Sequence, residues 1–366
     1  MVGSMSLVRS TFWSGIPLAL ASAALFGAST PFAKLLLGRG TDPWLLAGLL
    51  YLGSGLGLGL FLLLRVGTGQ LPTEAPLRRA DLPWLLLIIL SGGIAGPLLL
   101  MLGLDRTPAS AAALLLNLEG LATMAIAWII FRENADRRIL AGAMAILAGA
   151  VLLSWQRGST SIDWGALLIA GACLAWGIDN NLTRKLSGSD PMQIAAIKGL
   201  FAGAVNLGLA FARGAALPSG PVLAASSIVG LLGYGISLVL FVLALRYLGS
   251  ARTGAYFSTA PFIGAALSIP MFGERITVPL VAAAALMGLG LYLHLTERHE
   301  HEHFHEATNH EHRHIHDSHH QHSHGLDDPP GEPHNHWHKH LPMRHKHPHY
   351  PDLHHRHGHG EEEPVL

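Results

Sequence analysis

The sequence predicts an all-α membrane protein: ten transmembrane helices arranged as two inverted five-helix repeats, followed by a disordered histidine-rich tail. Three observations carry this expectation. Half of the 366 residues are apolar, only 13% are charged and 42 are glycine, a balance too apolar for a soluble protein of this length. The apolar residues gather into ten stretches with short polar breaks between them. All 24 histidines lie from His294 onward, so an apolar body is followed by a polar end.

A helix covers the hydrocarbon core of a bilayer in roughly 20 residues. Only structures that close their own backbone hydrogen bonds survive there, so apolar runs of this length are expected as helices. They lie near 13–37, 43–64, 83–104, 109–131, 138–155, 164–183, 191–212, 222–245, 251–272 and 277–295, the fifth and tenth being the shortest. The first contains Lys34 and no small-residue cleavage site, so it reads as a retained helix rather than a leader. The breaks carry turn chemistry: GRGTDP at 38–43, TPAS at 107–110, RENADRR at 132–138, SGSDP at 187–191 and GERITVP at 273–279. The expected division is a short cytoplasmic N-terminus (1–12), a first repeat (13–155), a linker (156–163), a second repeat (164–295) and the tail (296–366).

The repeat is read from punctuation. TDPW at 41–44 returns as SDPM at 189–192. The end of the fourth stretch, IIFRE closing on Glu133, returns as PMFGE closing on Glu274, and Gly149 and Gly290 keep that same spacing of 141. Five helices per unit is odd, so the second copy enters the membrane upside down relative to the first, the plan of many secondary transporters with a site at the midplane. Lysine and arginine in the connections set the orientation. With the N-terminus inside, eleven fall on the inner side (Arg9, Arg65, Arg78, Arg79, Arg132, Arg137, Arg138, Arg184, Lys185, Arg246 and Arg252). Six fall outside (Lys34, Arg39, Arg106, Arg157, Arg213 and Arg275). Both termini are expected in the cytoplasm, and the chain in a bacterial-type inner (plasma) membrane.

Other classes are excluded on simple grounds. Lysine plus arginine equals aspartate plus glutamate at 24 each, so no basic surface calls for a nucleic-acid partner. Cys173 is the only cysteine, so no intrachain disulfide forms. There is no nucleophile–base constellation, phosphate loop or HExxH helix, and an enzyme is not expected.

The ten stretches, the five-helix repeat and the glutamates closing the fourth and ninth stretches (FRE at 131–133, FGE at 272–274) resemble EamA-type members of the drug/metabolite transporter superfamily. Each glutamate is followed by a glycine-patterned helix, LAGAMAILAGAVLLS and AAAALMGLGLYL, and the resemblance covers about residues 13–295. It implies a ten-helix transporter of small organic solutes, often an exporter, with a central cavity and no cofactor for transport. It implies no particular substrate.

Charged groups at bilayer depth are costly and usually face a cavity or a partner. In the fourth stretch LLLNLEG places Asn117 and Glu119 well below the interface. The plain alternative is a glutamate satisfied by a helix–helix hydrogen bond. Pro261 of the ninth stretch aligns with Gly120, so both helices carry a helix-weakening residue at mid-membrane. The sixth stretch reads CLAWGIDNNLTRK and supplies Trp176, Asp179, Asn180 and Asn181, with an interfacial helix end as the alternative. Lys198 sits two turns into the seventh stretch opposite Leu50 of the first repeat. It needs an anion, for which Glu119, Asp179 or an anionic substrate are candidates. By the resemblance, a basic residue near this point marks the substrate path. Gln193 and Asn206 are weaker candidates. Trp176, Tyr234, Tyr256 and Trp128 are aromatic candidates for the cavity wall, although a core or interface role accounts better for each taken alone.

The tail repeats H-x-H. HEHEHFHE supplies His299, His301, His303 and His305. HEHRHIHDSHHQHSH supplies His310, His312, His314, His316, His319, His320, His322 and His324. HNHWHKH supplies His334, His336, His338 and His340, with HKHPH and HHRHGH further on. Proline and glycine interrupt it and no apolar period survives, so it is expected to be disordered without ligand. Neutral imidazole binds Zn, Ni, Co and Cu, and a flexible chain of H-x-H pairs can gather several such sites.

The sequence therefore points to an inner-membrane secondary transporter, an exporter of a small metabolite, regulated or supplied by a cytoplasmic metal-binding tail. A transition-metal ion or metal-chelating metabolite as cargo is the alternative of the same class. A membrane-anchored metal store or chaperone is the rival of another class, and a homodimer is left open.

Overall fold

A computed structural model describes residues 3–68, 77–131, 137–155, 163–183, 186, 189–296, 300–305, 308–314, 334–340 and 343–348. Among the described residues the body is built of helices: α1 (Gly3–Leu37), α2 (Pro43–Gly67), α3 (Leu82–Ile88), α4 (Gly96–Arg106), α5 (Ala109–Leu115), α6 (Leu118–Phe131), α7 (Arg137–Ser154), α8 (Trp164–Thr183), α9 (Pro191–Ala212), α10 (Gly220–Gly230), α11 (Ser237–Phe257), α12 (Ala260–Phe272) and α13 (Val278–Leu295). A 3-10 turn, Arg79–Asp81, precedes α3, and two π-helical segments, Ile89–Ala95 and Leu231–Ile236, join α3 to α4 and α10 to α11.

The recurring Asp-Pro pair turns out to be a helix start. Asp42 accepts hydrogen bonds from the backbone N–H groups of Trp44 (2.9 Å) and Leu45 (3.0 Å), while Pro43 takes the first helical position, where no N–H is needed. Asp190 and Pro191 do the same for α9, with Met192 N donating at 2.9 Å.

Among the described residues seven helices are long and apolar enough to cross a membrane: Gly15–Leu37, Pro43–Gly67, Arg79–Arg106, Ala109–Ile130, Arg137–Ser154, Pro191–Ala212 and Gly220–Ala244. Two shorter apolar helices, Ala260–Phe272 and Val278–His294, follow. The sequence predicts ten. The shortfall of three has local causes: α8 ends in the polar run Asp179–Thr183, the ninth stretch is interrupted at Ser258 and Thr259, and the tenth, Val278–His294, is short. Leu63, Ile129, Ile130, Met144 and Val151 lie on the outer surface of the bundle, more than half exposed, as side chains in contact with lipid would be.

Small residues let the helices approach closely. α2 and α9 cross at Gly55 and Gly199, where a Cβ on either would overlap the other's backbone. α1 is stitched to the start of α11 by Ser22, whose hydroxyl donates to Ser237 O (2.7 Å), and by Ser237, whose hydroxyl donates to Ser22 O (2.9 Å). α7 packs along α13, and α4 along α8. One continuous core of Leu46, Leu50, Leu100, Met101, Leu104, Leu114, Leu115 and Ile169 runs between them.

Beyond the body, four short stretches differ from the unstructured tail that composition predicts. β1 (Glu300–His305) pairs antiparallel with β4 (Met343–Pro348), and β2 (Thr308–His314) with β3 (His334–His340). H-x-H has the period of a strand. In register the backbone therefore sets His310 opposite His338, His312 opposite His336 and His314 opposite His334.

Candidate functional site

α8 carries most of the site because its last turns present three consecutive polar residues in an otherwise apolar helix. Asp179 faces α9, where Lys198 Nζ donates to its Oδ2 at 2.5 Å; the two side chains are only 8% and 12% exposed. Thr183, one turn on, donates to Asp179 Oδ1 at 3.4 Å. A buried ion pair of this kind survives only when the mutual attraction and added hydrogen bonds offset the loss of water around both charges.

Asn180 faces the other way, to α6. Its Nδ2 donates to Glu119 Oε1 (3.0 Å) and to Thr123 Oγ1 (3.2 Å). Asn181 fastens the two helices beneath it, donating to Thr123 O (3.0 Å) and Gly177 O (2.8 Å). Glu119 stands in the first turn of α6, just past the break at Leu116 and Asn117. The same α8 turn thus holds two carboxylates apart: one answered by an ammonium, the other by an amide.

The first π-helical segment closes the site on a third side. A π turn shifts the backbone pairing and frees carbonyls. Gly92 O is taken up by two side chains, Tyr51 Oη from α2 at 2.8 Å and Trp176 Nε1 from α8 at 3.0 Å, and Asn206 Nδ2 donates to Gly93 O at 3.4 Å. Asp179 packs directly on Gly92, where no Cβ would fit. Tyr51 also meets Tyr234 of the second π segment, with ring centroids 5.4 Å apart. Phe26 lies 6.3 Å from Trp176, 6.0 Å from Tyr234 and 5.3 Å from Phe257. Five aromatic rings from α1, α2, α8, the second π segment and α11 gather beside the charged pair.

Glu119, Lys198, Asp179, Asn180 and Trp176 therefore come together. Asn117 does not: its Nδ2 donates to Leu114 O (2.8 Å) and lies 3.7 Å from Met287 Sδ of α13. Tyr256 packs with Ala19, Ala244 and Leu248 away from the cluster. The sequence passed over Thr123, Tyr51, Phe26 and Phe257. The glycine pairs in ILSGGIA and LLGYGI were the available signal for the two irregular segments.

Among the described residues no group of three or more His, Cys, Asp or Glu is arranged to hold a metal ion. His299, His316, His319, His320, His322 and His324, proposed as ligands from sequence, lie outside the described residues, as does Glu133.

A family model for the EamA-like transporter family matches residues 13–155 and again 163–296. The chain is 29% identical over 214 residues to an uncharacterized transporter of Methanothermobacter thermautotrophicus, the alignment covering 56% of this chain and 62%, under two thirds, of that relative. It is 26% identical over 238 residues to the uncharacterized inner membrane transporter YedA of Escherichia coli, covering 64% and 76%. A shorter alignment, 40% identical over 78 residues, covers 21% of the chain and 65% of the probable 4-amino-4-deoxy-L-arabinose-phosphoundecaprenol flippase subunit ArnE of Pseudomonas paraeruginosa. A protein crystal structure superposes with a TM-score of 0.56 at 20% identity, over 76% of this chain and 95% of that one, and so shares its fold.

Proposed function

This chain belongs to the EamA-like transporter family, and from that premise we propose that it is an inner-membrane secondary transporter exporting a small metabolite along a path lined by Glu119, Asp179, Lys198, Asn180 and Trp176. The observation that carries the reading is the buried Lys198–Asp179 pair beside Glu119. Breaking such a pair by removing one partner costs about 3–5 kcal/mol, whereas exchanging a partner for a substrate group of like charge costs far less. A solute with an anionic group takes Lys198 from Asp179, and the freed carboxylate or Glu119 receives a cationic group. The aromatic wall takes the apolar remainder.

The path runs through ten spans in two inverted halves. Support comes from irregularities that recur at one offset: 142 residues separate Ile89 from Leu231, where the π segments begin, and Leu118 from Ala260, where helices resume after a break. Packing partners also exchange: α4 on α8 in one sense, α1 on the start of α11 in the other. The eighth and ninth spans share α11. The rings of Phe241 and Phe257 lie 4.8 Å apart, whereas a straight helix would part them by about 24 Å, so the chain doubles back between them. Both termini are cytoplasmic.

The histidine tail binds Zn, Ni, Co or Cu and adjusts or supplies the transporter. A second reading, in which the metal or its chelate is the cargo, draws on the in-register histidines of β2 and β3. The test is mass-spectrometric profiling of the growth medium of cells producing the wild-type chain, Lys198→Met, or a chain ending at Thr296. A metabolite that accumulates outside with wild type and the truncated chain, and not with Lys198→Met, supports the proposal. A profile insensitive to Lys198→Met, or metal export lost with the tail, overturns it.

A further inference from the structure

Glu274, which the sequence marks as the end of the ninth stretch, takes no part in the cluster above. We propose that Glu274 and Lys34 form a latch that holds one end of the molecule shut by gripping the turn between α4 and α5 from both sides.

That turn is tight. α4 ends at Arg106, Thr107 and Pro108 are extended, and α5 begins at Ala109. The last carbonyls of α4 and the first N–H groups of α5 have no partner within their own helices. Lys34 Nζ, at the end of α1, donates to Leu104 O (2.5 Å) and Asp105 O (3.0 Å). From the other side the Glu274 carboxylate accepts from Ala109 N at 2.7 Å and from Ser110 N at 3.1 Å. The Ser110 hydroxyl donates to it as well. A short piece of backbone geometry aims Glu274 there: Gly273 ends α12 in the left-handed region (φ 59), which reverses the chain and lets Glu274 N donate to Ile269 O at 3.0 Å.

The latch joins the two matched halves, since Lys34 and the α4–α5 turn belong to residues 13–155 and Glu274 to 163–296. Behind it the chain is sealed. From Ala109 to Asn117 every residue but Ala111 is buried, Ala113 lies against Gly264 of α12, and Cys173 Sγ of α8 lies 3.7 Å from Leu115 O. Beyond that plug Asn180 is exposed. In this proposal the carboxylate–ammonium cluster opens toward the end opposite Lys34 and Glu274, and opening their end requires the carboxylate to release the α5 backbone. The purpose of the latch rests on the transporter reading, but its closure is tested without any flux.

Cys173, the only cysteine, is a native reporter because it is buried directly behind the plug. The full-length chain in sealed membrane vesicles of both orientations is exposed to a membrane-impermeant sulfonated maleimide, with Cys173→Ser as the blank. Wild type labels slowly from either side. Glu274→Gln replaces one acceptor oxygen with a donor facing donors. It is expected to raise labelling about tenfold from the latch end only, the ratio that about 1.4 kcal/mol produces. Lys34→Met shifts labelling in the same direction. If Glu274→Gln does not accumulate, Ser110→Ala, which removes only the hydroxyl donor, is expected to raise it about threefold. Labelling at the wild-type rate, or a rise equal from both ends, overturns the latch. An unchanged labelling rate together with flux still abolished by Lys198→Met would remove the latch and leave the transport path standing.

Discussion

The chain uses lysine and carboxylate twice inside its apolar body, and the two sets are built differently. Lys198 and Asp179 bond to each other across α8 and α9, side chain to side chain, with Glu119 held nearby by the Asn180 amide. Lys34 and Glu274 are each bonded to backbone instead, one to carbonyls at the end of α4 and the other to N–H groups at the start of α5. Backbone groups cannot leave without moving a helix, so the second set fixes geometry. A side-chain partner can be exchanged for a ligand of the same charge, so the first set suits binding. The difference is in what the charges answer to, since composition alone makes the sets alike.

The sharpest way to break this contrast is Lys198→Met. It leaves Asp179 buried without its cation and is expected to lower stability in detergent by about 3–5 kcal/mol and to abolish transport. Adding Asp179→Leu restores most of the melting temperature and none of the flux. A single variant that melts like wild type would mean the pair is not buried as described.

Glu119→Gln comes next. The amide keeps an oxygen for Asn180, so stability changes by about 1 kcal/mol or less, while flux falls by at least about tenfold if the charge itself meets the solute. Flux assays and thermal melting of the same preparation separate the two effects.

Asn117→Ala is smaller still: about 1 kcal/mol of stability for the lost bond to Leu114 O, with flux within about twofold. A transport defect as deep as that of Glu119→Gln would bring Asn117 back into the path. Smallest for the body is removal of everything after Thr296. Melting temperature and metal-free flux stay at wild-type values, and isothermal titration with Zn or Ni loses its signal.

How much of this was legible in the sequence depends on what each residue answers to. Buried charges announce themselves because water is lost to them wherever they point, and so Glu119, Asp179 and Lys198 stood out. The partner of Lys198 did not, since the apolar body offers two buried carboxylates and only the face of α8 decides for Asp179. Asn117 and Glu119 are two residues apart yet answer to different helices: Asn117 lies in the break before α6 and turns to α13, whereas Glu119, in the first turn of α6, turns to α8. Tyr256 and Phe257 repeat that lesson one residue apart, and it is the phenylalanine that joins Phe26 and Phe241. Of the aromatic rings beside the pair the sequence offered Trp176 and Tyr234 and passed over Tyr51, Phe26 and Phe257, because a ring in an apolar helix has no mark that separates a cavity wall from a core. The Asp-Pro repeat was visible as punctuation, and its cause, a capped helix start at Asp42 and Asp190, needed the backbone.

The central claim is that the charges of the body carry the cargo and the histidines do not. Its most direct test compares flux of the exported metabolite in proteoliposomes containing Glu119→Gln with flux for the chain truncated after Thr296. The account predicts loss in the first with stability within about 1 kcal/mol of wild type, and wild-type flux in the second without added metal. Full flux through Glu119→Gln with none through the truncated chain would contradict it.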